Sequence, residues 1–279
     1  MNNQQLKKNV VTSALSGYAR LVVRMGLGLV TFRLLYQGLT SEQFGFWSLL
    51  WAIFGYGILL DFGFGYAAQK RVAELTVRKD WDQLSRVLST IFFFYFFSAL
   101  VAVGAGLLLS GPLITLFKVG AEHREEFRRV LSIFLVGIGL AFPLGIFPEV
   151  LQGQQRITTA NNLHMLSTTA NFIVVACAVG FKLSFTQLVL LSVLCVVIPY
   201  AWAARLAFAR MPGVRIRPSL FSKATMFDTG RFSLFAYANT LSNVLRNKAD
   251  QPVISSTLGV AAIAPFQAGS KVGEMFGQL

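Results

Sequence analysis

Val87-Leu-Ser-Thr-Ile-Phe-Phe-Phe-Tyr-Phe-Phe-Ser-Ala-Leu-Val-Ala-Val-Gly-Ala-Gly-Leu-Leu-Leu-Ser110 runs for two dozen residues without one charged side chain. As a helix rising 1.5 Å per residue, that stretch is about 36 Å long, enough to cross the hydrocarbon core of a bilayer. The same pattern repeats on both sides of it. Apolar runs at 10–36, 43–64, 129–151, 158–180, 186–208, 231–257 and from 260 to the end each come near the length a bilayer requires. All connections are short except those near 65–86, 111–128 and 209–230. The 279 residues are 54% hydrophobic and only 13% charged, with 26 Phe and a mean hydropathy of +0.59. A soluble domain carries about 25% charged residues. Disorder needs low hydrophobicity, and a basic nucleic-acid binder needs a polar surface to display its charge. The expected fold class is therefore all-α, a polytopic helical membrane protein.

The boundaries of the spans have local causes. Thr40 with Gln43 three residues on reads as a capping box opening the second helix. Gly111-Pro112 is expected to stop the third helix, and Met211-Pro212-Gly213 follows the sixth. Cys177 and Cys195 both lie in apolar runs and form neither a disulfide framework nor a metal-ligand cluster. Lys7-Lys8 imitates the start of a signal peptide. The apolar stretch after it continues to Tyr36 without a small-residue cleavage site, so it is retained as the first span.

Lys and Arg set the orientation. With the N-terminus inside, fourteen cations fall on the cytoplasmic side: Lys7, Lys8, the run from Lys70 to Arg86, Arg156 and the run from Arg205 to Arg231. Five fall outside, and four of those share a loop with Glu122, Glu125 and Glu126. The net charge of +13 is thus a topology signal that also meets anionic membrane lipids, and it implies no nucleic-acid partner.

Six cations remain inside the spans: Arg20, Arg24, Arg33, Arg246, Lys248 and Lys271. A cation at bilayer depth costs about 2.5–3.5 kcal/mol on insertion scales, so it faces a partner or a watery cavity. Arg20 and Arg24 share a helix face with Gly17 and Gly28, roughly 15–21 Å along the helix from Val10 and so near the midplane. One reading pairs them with buried acids such as Asp61. Against it, the acids in the spans are only Asp61, Glu149, Asp250 and Glu274, and two of these lie near helix ends or beside another cation. An anionic ligand, above all a phosphate, is the natural complement of a desolvated guanidinium. Arg33 turns to the opposite face beside Tyr36, where it snorkels. The seventh span carries Asn239, Asn243 and Asn247 at helical spacing, then Arg246, Lys248 and Asp250, with Pro252 inviting a kink. An Arg246–Asp250 pair is the structural alternative there. The stripe Asn161, His164, Thr168 and Asn171 on the fifth span suits hydrogen bonding between helices.

Several chemistries have no residues to carry them. There is no Walker A sequence, so no ATP hydrolysis is expected. Asp61-Phe62-Gly63 imitates a kinase tripeptide without the accompanying catalytic loop. His123 and His164 make no zinc or triad arrangement, and Glu74, Asp80 and Asp82 alternate with cations as a solvated linker would. Neither an enzyme nor a metal or cofactor is expected.

Four segments resemble one family. Gly38-Leu-Thr-Ser-Glu-Gln-Phe-Gly45 looks like its turn after the first helix, and Asp61-Phe-Gly-Phe-Gly with Ala67, Arg71 and Ala73-Glu74 looks like its Asp-Leu-Gly signature. Val150-Leu-Gln-Gly-Gln-Gln-Arg156 looks like its fourth-helix exit, and Asp250 with Val253-Ile254 and Gly259 is similar to its seventh-helix pattern. The family is that of the polysaccharide (O-antigen and exopolysaccharide) lipid-linked oligosaccharide flippases, in the superfamily that also holds lipid II flippases and multidrug and toxin extruders. One departure is Pro265-Phe266, where many relatives carry Tyr. An offset of 221 residues brings Gly38 onto Gly259 and one of 222 brings Arg24 onto Arg246, a loose internal repeat of the kind transporters show.

The resemblance implies a transporter in the bacterial inner membrane that moves a polyprenyl-pyrophosphate-linked oligosaccharide by alternating access, for lipopolysaccharide or exopolysaccharide assembly. Polysaccharide polymerase and glycosyltransferases are the expected protein partners. Arg24 matches the family's cavity Arg, with Arg20, Arg246, Lys248 and Asn243 as further cavity residues and Asp61 and Asp250 as acids for ion coupling. The expected layout is a six-helix N-terminal lobe over 1–210, a cytoplasmic linker over 211–230 and the first two helices of a second lobe over 231–279. Because the family architecture has about twelve to fourteen spans, a partial chain is expected. The rival readings are a multidrug extruder of the same fold and a non-transporting scaffold for polysaccharide biosynthesis.

Overall fold

A computed structural model describes residues 3–230, 237, 241–242 and 250–276. Every regular element among them is helical. α1 spans Asn3–Gly38, α2 Ser41–Tyr56, α3 Phe64–Arg78, α4 Trp81–Leu108, α5 Ser110–Leu116, α6 Arg124–Leu144, α7 Ile146–Gly153, α8 Ile157–Gly180 and α9 Phe185–Phe208. Residues 223–230 form a tenth helix, α10, followed by α11, Asp250–Leu258, and α12, Ile263–Phe276. Among the described residues, four helical stretches are long and apolar enough to cross a membrane: α4, α6 with α7, α8 and α9. Their flanks leave Phe97, Leu100, Val101, Leu140, Ile173 and Ile198 exposed. Such apolar side chains, exposed over several long helices, suit a lipid surround. The chain is a multi-pass membrane protein.

The capping box is formed. Thr40 Oγ1 accepts from the Gln43 amide at 3.2 Å, and Gln43 Oε1 accepts from the Thr40 amide at 3.3 Å. A second box, Ser184 with Gln187, opens α9 in the same way. Two expectations need correction. The stretch 65–86 is not a loop for most of its length: α3 fills it, because the left-handed residues Phe62 (φ 49°) and Gly63 (φ 77°) reverse the chain, and an amphipathic helix then starts at Phe64. Gly111-Pro112 does not stop the third span either. α4 ends at Leu108, and Pro112 lies in the first turn of α5, where its missing N–H would have had no intrahelical partner.

Two apolar cores hold the described helices together, one at each end. At one end Leu35, Phe44, Leu49, Phe127, Phe134 and Val189 bring together α1, α2, α6 and α9. At the other, Val72, Leu84, Leu88, Leu151 and Ala207 join α3, α4, α7 and α9. Lys70, Arg71, Arg78, Arg156, Arg205 and Arg210 fall at this second end, the basic end. There the segment after α9 is fastened to α4 by hydroxyls that are themselves buried. Ser85 Oγ accepts from the Arg215 amide at 3.1 Å, Ser89 Oγ donates to the Arg215 carbonyl and accepts from the Arg217 amide, and Thr90 Oγ1 accepts from the Ser222 amide.

The opposite end is closed around the α11–α12 turn. Gly259 (φ 93°) makes a backbone conformation that suits glycine, the Val260 amide donates to the Phe117 carbonyl at 3.1 Å, and Lys118 Nζ donates to the Thr257 carbonyl. The Val260 carbonyl rests against Gly45 so closely that a Cβ there would fall 1.9 Å from its oxygen. Glycine is required at position 45.

Candidate substrate cavity

α1 carries cations that the sequence singled out, and the structure gives Arg20 and Arg24 different surroundings. Arg20 is half-buried against α8: its Nη1 donates to Asn161 Oδ1 at 3.2 Å, and Asn161 Nδ2 donates to Ser16 Oγ at 3.0 Å. Asn161 is buried, so one side chain of α8 satisfies two of α1. The hydrogen bonding between helices expected of the Asn161 stripe occurs here. His164, one turn on, stands edge-on to the Tyr200 ring at 6.2 Å. Arg20 also lies in electrostatic reach of Glu149 and Tyr200.

Arg24 is exposed, and no described carboxylate lies within ion-pair distance of it. At Gly17 and Gly28, on the same face, a Cβ would meet nothing within 4 Å. Among the described residues, the face of α1 that holds Arg24 is therefore open at these positions. Arg33 is exposed as well, close to the α1 C-terminus. Arg246, Lys248 and Asn243 lie outside the described residues, as do Asn239 and Asn247 and the expected kink before Pro252.

Neither Asp61 nor Glu149 forms an ion pair with Arg20 or Arg24 among the described residues. Asp61 Oδ1 accepts from the Tyr95 hydroxyl and from the Gly65 amide, the latter at 3.0 Å. Glu149 sits beside it: a Cβ at Gly65 would lie 3.5 Å from both Asp61 Oδ2 and Glu149 Cγ. Glu149 Oε2 accepts from Gln152 Nε2 at 3.2 Å. Three elements make this pocket. The break at Phe62-Gly63 turns Asp61 inward, α4 supplies Tyr95, and α7 supplies Glu149. Asp250 is exposed at the start of α11, in electrostatic reach of Tyr56. Tyr95 had no signal in the sequence beyond its place in an aromatic run. Glu149 and Asp61 are both visible in the sequence as span acids, but their being side by side is not.

Outside the spans, Arg156 closes the α7–α8 turn by donating from Nη1 to the Leu206 carbonyl at 2.8 Å. Burial, and then the nearby Arg210, push its guanidinium below the usual value. Arg71, on α3, donates to Asp228 of α10 at 2.6 Å and also pairs with Glu74. No group of His, Cys, Asp and Glu among the described residues is arranged to hold a metal.

A family model described as polysaccharide biosynthesis protein matches residues 6–278. No curated protein sequence matches significantly. Among solved structures, the chain is similar to an inward-facing multidrug resistance MATE family transporter of the MOP superfamily, at 16% identity and TM-score 0.73, covering 91% of this chain and 60% of that one. An outward-facing structure of a MATE family transporter matches at 17% identity and TM-score 0.68, over 85% and 53% of the two chains. A Pyrococcus furiosus MOP superfamily transporter, described as having a binding pocket of reverse polarity that suggests a different function, matches with the same four figures. At such identities the likeness is one of fold. The chain spans between half and two thirds of the length of these three structures.

Proposed function

The chain belongs to the polysaccharide biosynthesis protein family, and from that premise we propose that it is a transporter that flips polyprenyl-pyrophosphate-linked oligosaccharides across a bacterial inner membrane. The observation that carries this reading is Arg24: a guanidinium for which the sequence leads us to expect bilayer depth, on a helix face open among the described residues, with no described carboxylate partner. Arg20 stands one turn away, hydrogen-bonded to Asn161 and in electrostatic reach of Glu149. A pyrophosphate supplies the missing charge and accepts the paired hydrogen bonds of a guanidinium. The N-terminus and the basic end face the cytoplasm, where the positive-inside rule puts them. From the family resemblance, Arg246, Lys248 and Asn243 are the further residues assigned to substrate binding. The lobes are 1–210 and, after a linker over 211–230, the segment from 231 onward. Sugar-assembling enzymes at the membrane are its partners, and the chain itself performs no chemistry on the substrate.

Reorientation of one lobe against the other carries the headgroup across while the lipid tail stays in the bilayer. A membrane potential or an ion gradient supplies the drive, with Asp61 and Asp250 as the coupling acids. Glu149, beside Asp61, makes the first of these a two-carboxylate site. In cells, Arg24→Ala in the intact protein is expected to lower surface glycan export at least tenfold. Arg24→Lys, which keeps the charge but not the planar fork, should restore it in part. Wild-type export by Arg24→Ala would overturn the proposal. Normal glycan with raised drug susceptibility in a deletion strain would instead identify an extruder.

A further inference from the structure

Beyond Arg24 the open face of α1 leads into a second feature. Gly28 and Thr31 follow at about 6 and 10 Å along the helix, within about 40° of Arg24 around it. They border a cavity of about 220 Å³ whose other walls include Trp47, Ser48 and Trp51 of α2, Gln251 of α11 and Gln267 of α12. A drug-sized pocket measures about 300–1,000 Å³, so this one suits a single small ring.

Its lining mixes two chemistries. Trp47 and Trp51 stand with ring centroids 5.8 Å apart, and Trp51 is fixed edge-on between Phe54 and Phe134. Against these rings are set two amides and two hydroxyls. Gln251 is 7% exposed, yet its Oε1 has no hydrogen-bond partner among the described residues. A buried amide oxygen without a partner is uncommon and costs free energy until a donor meets it.

Flat apolar rings opposite a few amide and hydroxyl groups form a surface for a molecule that is apolar on one face and carries hydroxyl donors around its edge. A pyranose ring is such a molecule. In a lipid-linked sugar it is bonded directly to the pyrophosphate. We infer that the Trp47–Trp51–Gln251 cavity is the subsite for the first sugar ring, one to two helical turns beyond the phosphates held at Arg24, with a sugar hydroxyl donating to Gln251 Oε1. This rests on the proposed function and deepens it by giving the sugar its own recognition site.

The test is calorimetric binding to the purified intact protein in detergent. The probes are geranyl pyrophosphate and its conjugates carrying glucose, galactose or N-acetylglucosamine through the pyrophosphate. At least one conjugate should bind about tenfold more tightly than geranyl pyrophosphate. Trp51→Leu and Gln251→Leu should each remove most of that gain and leave the affinity for geranyl pyrophosphate unchanged. Trp51→Phe, which keeps a ring, should preserve much of the gain and shows that loss in Trp51→Leu is not misfolding. Arg24→Ala should weaken all four probes alike. If no sugar adds affinity, or if the Leu variants weaken bare geranyl pyrophosphate as much as the conjugates, the subsite is wrong. Failure of geranyl pyrophosphate to bind at all, or its indifference to Arg24→Ala, would instead overturn the phosphate grip beneath it.

Discussion

Arg20 and Arg24 are one turn apart on the same helix, and their neighbours divide the labour between them. Arg20 is the fixed member. Asn161→Leu would leave both Arg20 and Ser16 without their shared partner across the α1–α8 interface. The expected loss is about 1–2 kcal/mol of stability, near the upper range for interhelical polar contacts in membranes, read by thermal unfolding in detergent. An unchanged unfolding temperature would mean that the bridge contributes nothing. Two glycines make a paired case. Gly45→Ala forces its Cβ into the Val260 carbonyl and should cost about 1–3 kcal/mol or more. Gly28→Ala meets open space and should be neutral or stabilising, by up to about 1 kcal/mol from the helix backbone. Equal effects at the two positions would contradict the packing described. None of these pairings could be read from sequence: Arg20 and Asn161 are separated by 141 residues, and Asp61 meets Tyr95 only because Phe62-Gly63 turns the chain.

At the scale of elements, local chemistry was more informative. Spacing of apolar runs placed α8 and α9 to within one residue and α4 to within six, because a bilayer demands length and excludes charge. Thr40 and Gln43 announced the start of α2, and Thr40→Ala should lower stability by about 0.5–2 kcal/mol in the same unfolding assay. Ser184 and Gln187 carried the same signal three residues apart. α3 was harder, since interleaved charges look alike in a solvated loop and on the polar face of an amphipathic helix. The segment after α9 is the other element whose place sequence could not show. Ser85, Ser89 and Thr90 look like ordinary polar residues at the start of a span, yet their hydroxyls hold the backbone of residues 215–222. Ser89→Ala removes two of those bonds. Amide exchange at 213–219 should quicken about tenfold, and exchange as slow as in the wild type would show that other contacts hold the segment.

For the whole molecule, the excess of cations at one end and the closed turn at the other describe a bundle with two unlike ends. Between them the Arg24 face of α1 is open among the described residues. Charge counting gave the expected orientation, and the arginines at depth gave the expected cavity. What surrounds Arg20 depends on how α7, α8 and α9 pack, which no local pattern records. The proposed transport can be measured with the intact protein in sealed liposomes loaded with a polyprenyl-pyrophosphate-linked sugar in the inner leaflet. The readout is the rate at which the sugar becomes accessible to external periodate. Wild-type protein should expose it, and Arg24→Ala, folded and inserted equally well, should slow exposure at least tenfold. Exposure by Arg24→Ala at the wild-type rate would contradict a phosphate grip at Arg24.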